Sequence, residues 1–269
     1  MRPSAEADFQ KKRQKAAENL FFSAAFCYDA FWLSIYTTAP TACQGNREEF
    51  HLNIMHLVNA LPGVAAQGLI WGIMAIGVYL TFRILDVADL TVDGSFPLGA
   101  AVTVALISRG VNPYLTFPIA ALCGALAGMC TGLIHVKGKV RDLLSGIIMM
   151  TALYTINYRI AGKSNVPMFS MKTAFDNDFI NSLPAGLTPV RSLLVILIVS
   201  LACKFLLDAY LCTRSGFLLR AVGDNDMLVT SLAKNNGTVK IIGLAIANGL
   251  VALGGSVMCQ QQRFFDLSM

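Results

Sequence analysis

Six apolar runs joined by polar linkers leave this chain few folds to choose from. They cover residues 60–82, 95–108, 115–136, 143–160, 189–211 and 239–259. All but the second approach or exceed the roughly 17–25 apolar residues with which a helix crosses a bilayer. In hydrocarbon no water satisfies backbone N–H and C=O groups, so a spanning run must satisfy them within itself, as a helix. Composition agrees: 55% of the 269 residues are hydrophobic and 14% charged, and mean hydropathy is +0.59, against about 25% charged in soluble domains. The fold class expected is all-α, a polytopic membrane bundle of several spans. The second run is too short to cross alone, so the polar turn before it has to lie within the membrane depth, shielded by protein.

That turn is DVADLTVDGSFPLGA, residues 86–100, with Asp86, Asp89 and Asp93 close together between two apolar stretches. Carboxylates in open lipid are costly, so the turn should face protein or a water-filled cavity. Asp93 or Ser95 can cap a helix that starts there, with Pro97 in its first turn. Two readings stay open: a loop with an ordinary cap, or a discontinuous helix lining a translocation path through Asp89, Thr91, Asp93, Gly94 and Ser95.

Packing and orientation have their own signals. Gly124, Gly128 and Gly132 repeat every four residues and place small residues on one helix face, where another backbone can approach; Gly68 and Gly72 do the same in the first run. With the linker at 137–142 inside, Arg83, Lys137, Lys139, Arg141, Lys204, Arg214, Arg220, Lys234 and Lys240 are cytoplasmic. Arg109, Arg159, Lys163, Lys172, Arg191 and Arg263 are outside, nine against six. This bias follows the positive-inside rule and sends the first run from outside to inside.

An internal repeat appears at an offset of 177 residues. Gly72 aligns with Gly249, Gly77 with Gly254, and Asp89-Leu90-Thr91 with Asp266-Leu267-Ser268. Five spans separate the copies, and an odd number reverses direction, so the bundle should have inverted-repeat character.

Residues 1–54 form an N-terminal extension distinct from the domain at 55–269. A basic cluster at 11–15 precedes an apolar stretch at 20–42. It reads as an extra transmembrane helix, as a signal-like segment, or as sequence ahead of an alternative start at Met55.

Several chemistries lack their residues. The seven cysteines form no C-x-x-C pair, and the histidines are scattered, so neither a disulfide framework nor a metal site is expected. Gly162-Lys163-Ser164 resembles the end of a phosphate loop, but Asn157 stands where its first glycine belongs. No catalytic constellation is visible, so no enzyme and no cofactor are expected. No basic stripe with interleaved aromatics suggests nucleic acid.

The longest polar insertion on the cytoplasmic side is TRSGFLLRAVGDNDMLVTSLAKNNGTVK, residues 213–240. It reads as a solvated loop, or as a short glycine-broken helix that docks another protein through Arg220, Gly223, Asp224, Asn225 and Lys234.

Three stretches, GVYLTFRILDVADLTVDGSFPLGAAV, LLSGIIMMTALYTINYRIAGKSNVP and the cytoplasmic insertion, resemble the membrane permeases of the branched-chain amino acid and ribose class of bacterial ABC importers. Within that class the likeness is to an uncharacterised, aromatic-amino-acid-related subgroup, and it covers about residues 57–269. The resemblance implies a permease subunit in the plasma or inner membrane that imports a small solute, amino acids ahead of sugars. It implies cytoplasmic ABC ATPase subunits, an extracytoplasmic solute-binding protein and a second permease subunit, identical or homologous, as partners. It places ATPase contact at residues 220–234 and the pathway at 89–99. It also implies further helices beyond Met269. An ion-coupled secondary transporter is the alternative, and needs carboxylates deep in the spans. The solute itself is not legible.

Overall fold

The computed structural model describes residues 54–169, 171, 173–175, 188–224 and 236–269. Asn225, Lys234 and the extension up to residue 53 lie outside the described residues. The chain divides into two compact units, Met1–Gly68 and Leu69–Met269. The helical bundle belongs to the second, and only its first helix begins in the other.

Every apolar run is a helix. α1 (Ile54–Tyr79) ends in a π-helical turn (Leu80–Ile84), and a break follows. α2 (Val92–Ser108), α3 (Pro113–Gly138), α4 (Asp142–Ala161), α5 (Thr188–Leu211), α6 (Arg214–Asp224) and α7 (Asn236–Gln262) come next, with a short strand, β1 (Asn165–Pro167), between α4 and α5 and another, β2 (Phe264–Asp266), after α7. Among the described residues five helices are long and apolar enough to cross a membrane; α2 is the short apolar one. At 1.5 Å per residue its 17 residues reach about 25 Å, less than the hydrocarbon thickness of about 30 Å.

The cap differs from expectation. α2 begins at Val92, not after Asp93 or Ser95, and Pro97 lies inside it. Asp89 accounts for the earlier start. Its Oδ1 accepts the Thr91 N–H at 2.9 Å, an Asx turn that sets the chain for helix two residues sooner. Pro97 has no N–H to offer the carbonyl of Asp93, its usual partner four residues back.

α7 is the hub. Two thirds of its most apolar window is buried (67%), against 17–33% in the other spanning candidates. α2 lies along it in parallel at a constant offset of 153 residues, Ser95 meeting Asn248 and Thr103 meeting Ser256. α3 runs antiparallel to it: a Cβ on Gly124 would meet the Asn248 carbonyl at 2.5 Å, one on Gly128 the Asn248 Cβ at 2.9 Å, and one on Gly132 the Ile241 Cα at 2.9 Å. The opposite face of α3 exposes Leu115, Leu122, Leu126, Met129 and Leu133, the surface a helix offers to lipid. By contrast, a Cβ on Gly68 or Gly72 would find no atom within 4 Å, so the spacing in α1 marks no close contact among the described residues.

α1 and α7 also meet antiparallel, Gly77 against Ala247 and Val251, Gly254 against Ile73. The repeat extends to backbone detail. Asp86 and Arg263, 177 residues apart, are both left-handed (φ 55° and 54°). Each is followed by a matching Asx turn, Thr91 N–H to Asp89 Oδ1 and Ser268 N–H to Asp266 Oδ1, at 2.9 and 3.0 Å. Two antiparallel copies of one helix–turn unit thus face each other.

Gly162, the residue that resembled a phosphate loop, ends α4 in the left-handed conformation (φ 75°), its N–H donating to the Tyr158 carbonyl. β1 and β2 pair antiparallel, Val166 opposite Phe265, and Gln260 ties α7 to this side by accepting the Ala174 N–H and donating to Thr116. This order of spans predicts that cysteines introduced at Gly138 and Thr213 react with an impermeant thiol reagent from one side of the membrane. Those at Gly110 and Ser164 should react from the other; labelling of Gly138 and Gly110 positions from the same side would contradict it.

Candidate functional site

The broken helix divides its polar residues between two surfaces. Asp89, Thr91 and Ser95 turn inward and are 2%, 0% and 0% exposed. Asn248 of α7, also wholly buried, joins them. Its Nδ2 donates to Asp89 Oδ2 at 2.7 Å and to the Leu244 carbonyl at 3.0 Å, while its Oδ1 accepts the Ser95 hydroxyl at 2.8 Å. The Thr131 hydroxyl donates to Ala127, so the Thr91 hydroxyl 3.0 Å away donates to Thr131. The Asp89 carboxylate therefore has both oxygens engaged by amide donors and no cation among its described partners. This network locks the break onto α3 and α7, since unpaired polar groups at such depth cost several kcal/mol.

Asp93 and Gly94 face the other way. They line a cleft of about 190 Å³ between the first turn of α2 and the middle of α4, with Pro97, Met150, Thr151, Tyr154, Asn157 and Leu267. Gly94 lets the helices approach: a Cβ there would meet Leu153 at 3.0 Å. Asn157 is wholly buried, and its Nδ2 donates to the Gly94 carbonyl at 3.0 Å. Asp86 stands apart, exposed, where the chain reverses.

On the side of the linker at 137–142, α6 packs beneath the same break. Gly216, Leu219 and Val222 are its buried residues. Leu219 belongs to one apolar cluster with Ile84, Leu85, Val87, Leu207, Leu211 and Leu244. Gly223 rests on the Ile84 carbonyl so closely that a Cβ would overlap it. Gly223 is the last but one residue of α6 (Arg214–Asp224), and the residues that follow Asp224 lie outside the described ones. Its lack of a side chain allows the contact with Ile84. Arg220 and Asp224 are exposed.

Sequence reasoning passed over Asn248, Ser256 and Gln260. Their signal was present: polar side chains at four- and eight-residue spacings on one face of an apolar helix, where such residues bond neighbouring helices. Asn157 carries no such signal in the sequence beyond its place where a phosphate loop would need glycine.

Residues 61–269 match the family described as branched-chain amino acid transport system, permease component. Among curated proteins, a tyrosine transport system permease protein of Clostridioides difficile is 42% identical over 212 residues, covering 79% of this chain and 68% of the relative. An uncharacterised protein of Rickettsia prowazekii is 31% identical over 79% of this chain and 72% of its own length. A ribose import permease protein of Escherichia coli is 28% identical, over 74% and 61%. No solved structure gives a significant match.

Proposed function

Because this chain belongs to the family of permease components of branched-chain amino acid transport systems, we propose that it is the membrane-spanning subunit of an ATP-driven importer of an amino acid. That it is a multi-pass inner-membrane transport permease follows from the family and the five spanning helices. Its finer role is our reading. The amino-acid assignment leans on the relative that is 42% identical, the ribose permeases being more distant at 28%.

One observation carries the mechanism. α6 rests on Ile84 through Gly223, and Ile84 ends the π-helical turn before the break that holds Asp89 and leads into α2 at Val92, next to Asp93. A push on α6 reaches the break through packed atoms, with Leu219 and Val87 in the same cluster. Cytoplasmic ATPase subunits that close on α6 would thus move the wall of the cleft. A second permease subunit, identical or homologous, would complete the pathway, and an extracytoplasmic binding protein would deliver the solute.

The test is uptake of radiolabelled L-tyrosine by proteoliposomes holding the permease with its ATPase and binding protein. Uptake should require ATP. Arg220→Glu, on the exposed face of α6, should cut it at least tenfold while insertion and thermal midpoint stay unchanged, because it removes charge-assisted hydrogen bonds worth about 1.5–3 kcal/mol each. Uptake driven by an ion gradient without ATP would overturn the importer reading; full uptake by Arg220→Glu would overturn the docking role of α6.

A further inference from the structure

We infer that the cleft between α2 and α4 is a seat for a protonated amine carried on an apolar or aromatic body. The inference rests on the permease reading above and adds to it the part of the solute recognised and the residues that recognise it.

The polar lining consists largely of acceptors. Asn157 is 0% exposed, and its amide orientation is set by the bond from Nδ2 to the Gly94 carbonyl. A flipped amide would press oxygen against oxygen. Its Oδ1 is therefore a true acceptor; it is buried, has no hydrogen-bond partner among the described residues and belongs to a residue that lines the cleft. A buried acceptor left unmatched is costly, so a bound group that brings a donor to Asn157 is favoured there. The Thr151 hydroxyl gives its one proton to its own helix, to the carbonyls of Ile147 or Ile148 at 3.2 and 2.9 Å, and so presents only lone pairs. At the rim stands the carboxylate of Asp93, with no Lys or Arg among the lining residues.

Two neutral acceptors and one acid match a group with several N–H donors and a positive charge. The remaining walls are apolar or aromatic: Pro97, Met150, Leu267 and the ring of Tyr154. An aromatic face also attracts a cation. The volume, about 190 Å³, lies below the roughly 300–1,000 Å³ of sites for drug-sized ligands, as suits a solute of amino-acid size. No described lining residue is a cation that would hold a carboxylate, so the amine is the group recognised, and a solute's carboxylate points away.

Tyramine, which has the amine and ring but no carboxylate, is the discriminating probe. Equilibrium binding to the full-chain permease in lipid nanodiscs should show tyramine and L-tyrosine bound with similar affinity. 3-(4-Hydroxyphenyl)propionate, with the carboxylate alone, and ribose should bind at least tenfold more weakly. Asp93→Asn should weaken tyramine at least tenfold. Thr151→Lys should abolish its binding by placing an ammonium of the chain's own in the seat, with both variants keeping the wild-type thermal midpoint. No tyramine binding to the wild type, equal binding of the propionate, or tyramine binding untouched in both variants would overturn the inference. ATP-driven tyrosine uptake that persists in both variants also sinks the seat and leaves the importer standing. Variant-sensitive tyramine binding without ATP-driven uptake of any of these solutes leaves the seat standing and sinks the importer.

Discussion

Asn248→Leu is expected to destabilise the folded chain by about 3 kcal/mol or more, since leaving a buried polar group unsatisfied costs about 1–3 kcal/mol and a charged one more. Leucine fills similar space but supplies no donor to Asp89 Oδ2 and no acceptor to the Ser95 hydroxyl. The carboxylate would keep only the Thr91 N–H, at a site 2% exposed where water cannot substitute. Unfolding in mixed detergent micelles, followed by tryptophan fluorescence, measures the change. The double variant Asp89→Leu with Asn248→Leu should recover part of the loss, since removing both partners leaves fewer groups unmatched. A loss below about 1 kcal/mol for Asn248→Leu would mean that the network does not hold the break in place.

Gly99→Val should prevent assembly of the bundle. A Cβ on Gly99 would land on the Ala252 carbonyl, with the Ala252 Cα 2.8 Å away. Backbone cannot rotate aside as a side chain can, so α2 would have to move off α7. That movement would stretch the flanking bonds of Ser95 to Asn248 and Thr103 to Ser256, now 2.8 and 2.6 Å. Overpacking alone costs about 1–3 kcal/mol, and each lost hydrogen bond adds about 1 kcal/mol. Size-exclusion chromatography after extraction should show aggregate where the wild type elutes as a single species. Gly72→Val is the control: a Cβ at Gly72 meets nothing within 4 Å, and the variant should elute normally. Normal elution of Gly99→Val would show that α2 and α7 can part without loss of the bundle.

Particular residues show how far the sequence could be read. The helices were legible from run length, and the break from three aspartates interrupting an apolar run. The repeat at 177 residues was legible from Asp89-Leu90-Thr91 and Asp266-Leu267-Ser268, and it reappears as two Asx turns and two left-handed residues. The start of α2 was not legible, because Asp89 competed with Asp93 and Ser95 as the turn-forming side chain and its burial against Asn248 decided the outcome. The division of one acidic turn into an inward lock and an outward cleft was not legible either. Asp89 lies in the break and Asp93, four residues on, in the first turn of α2, and local sequence does not say which neighbour each will face.

The sequence by itself determined that this chain spans a membrane, which runs after residue 55 are long helices and where one is broken. Lipid forces each span to satisfy its own backbone, so spanning is a local property, written in consecutive residues. The tertiary structure decided which polar groups meet: Ser95 with Asn248 across 153 residues, Asn157 with Gly94 across 63, Gly223 with Ile84. Between helices in lipid, association is set by close packing of small residues and a few hydrogen bonds. Those depend on how each helix is rotated against neighbours distant in the chain, and no window of consecutive residues contains that rotation.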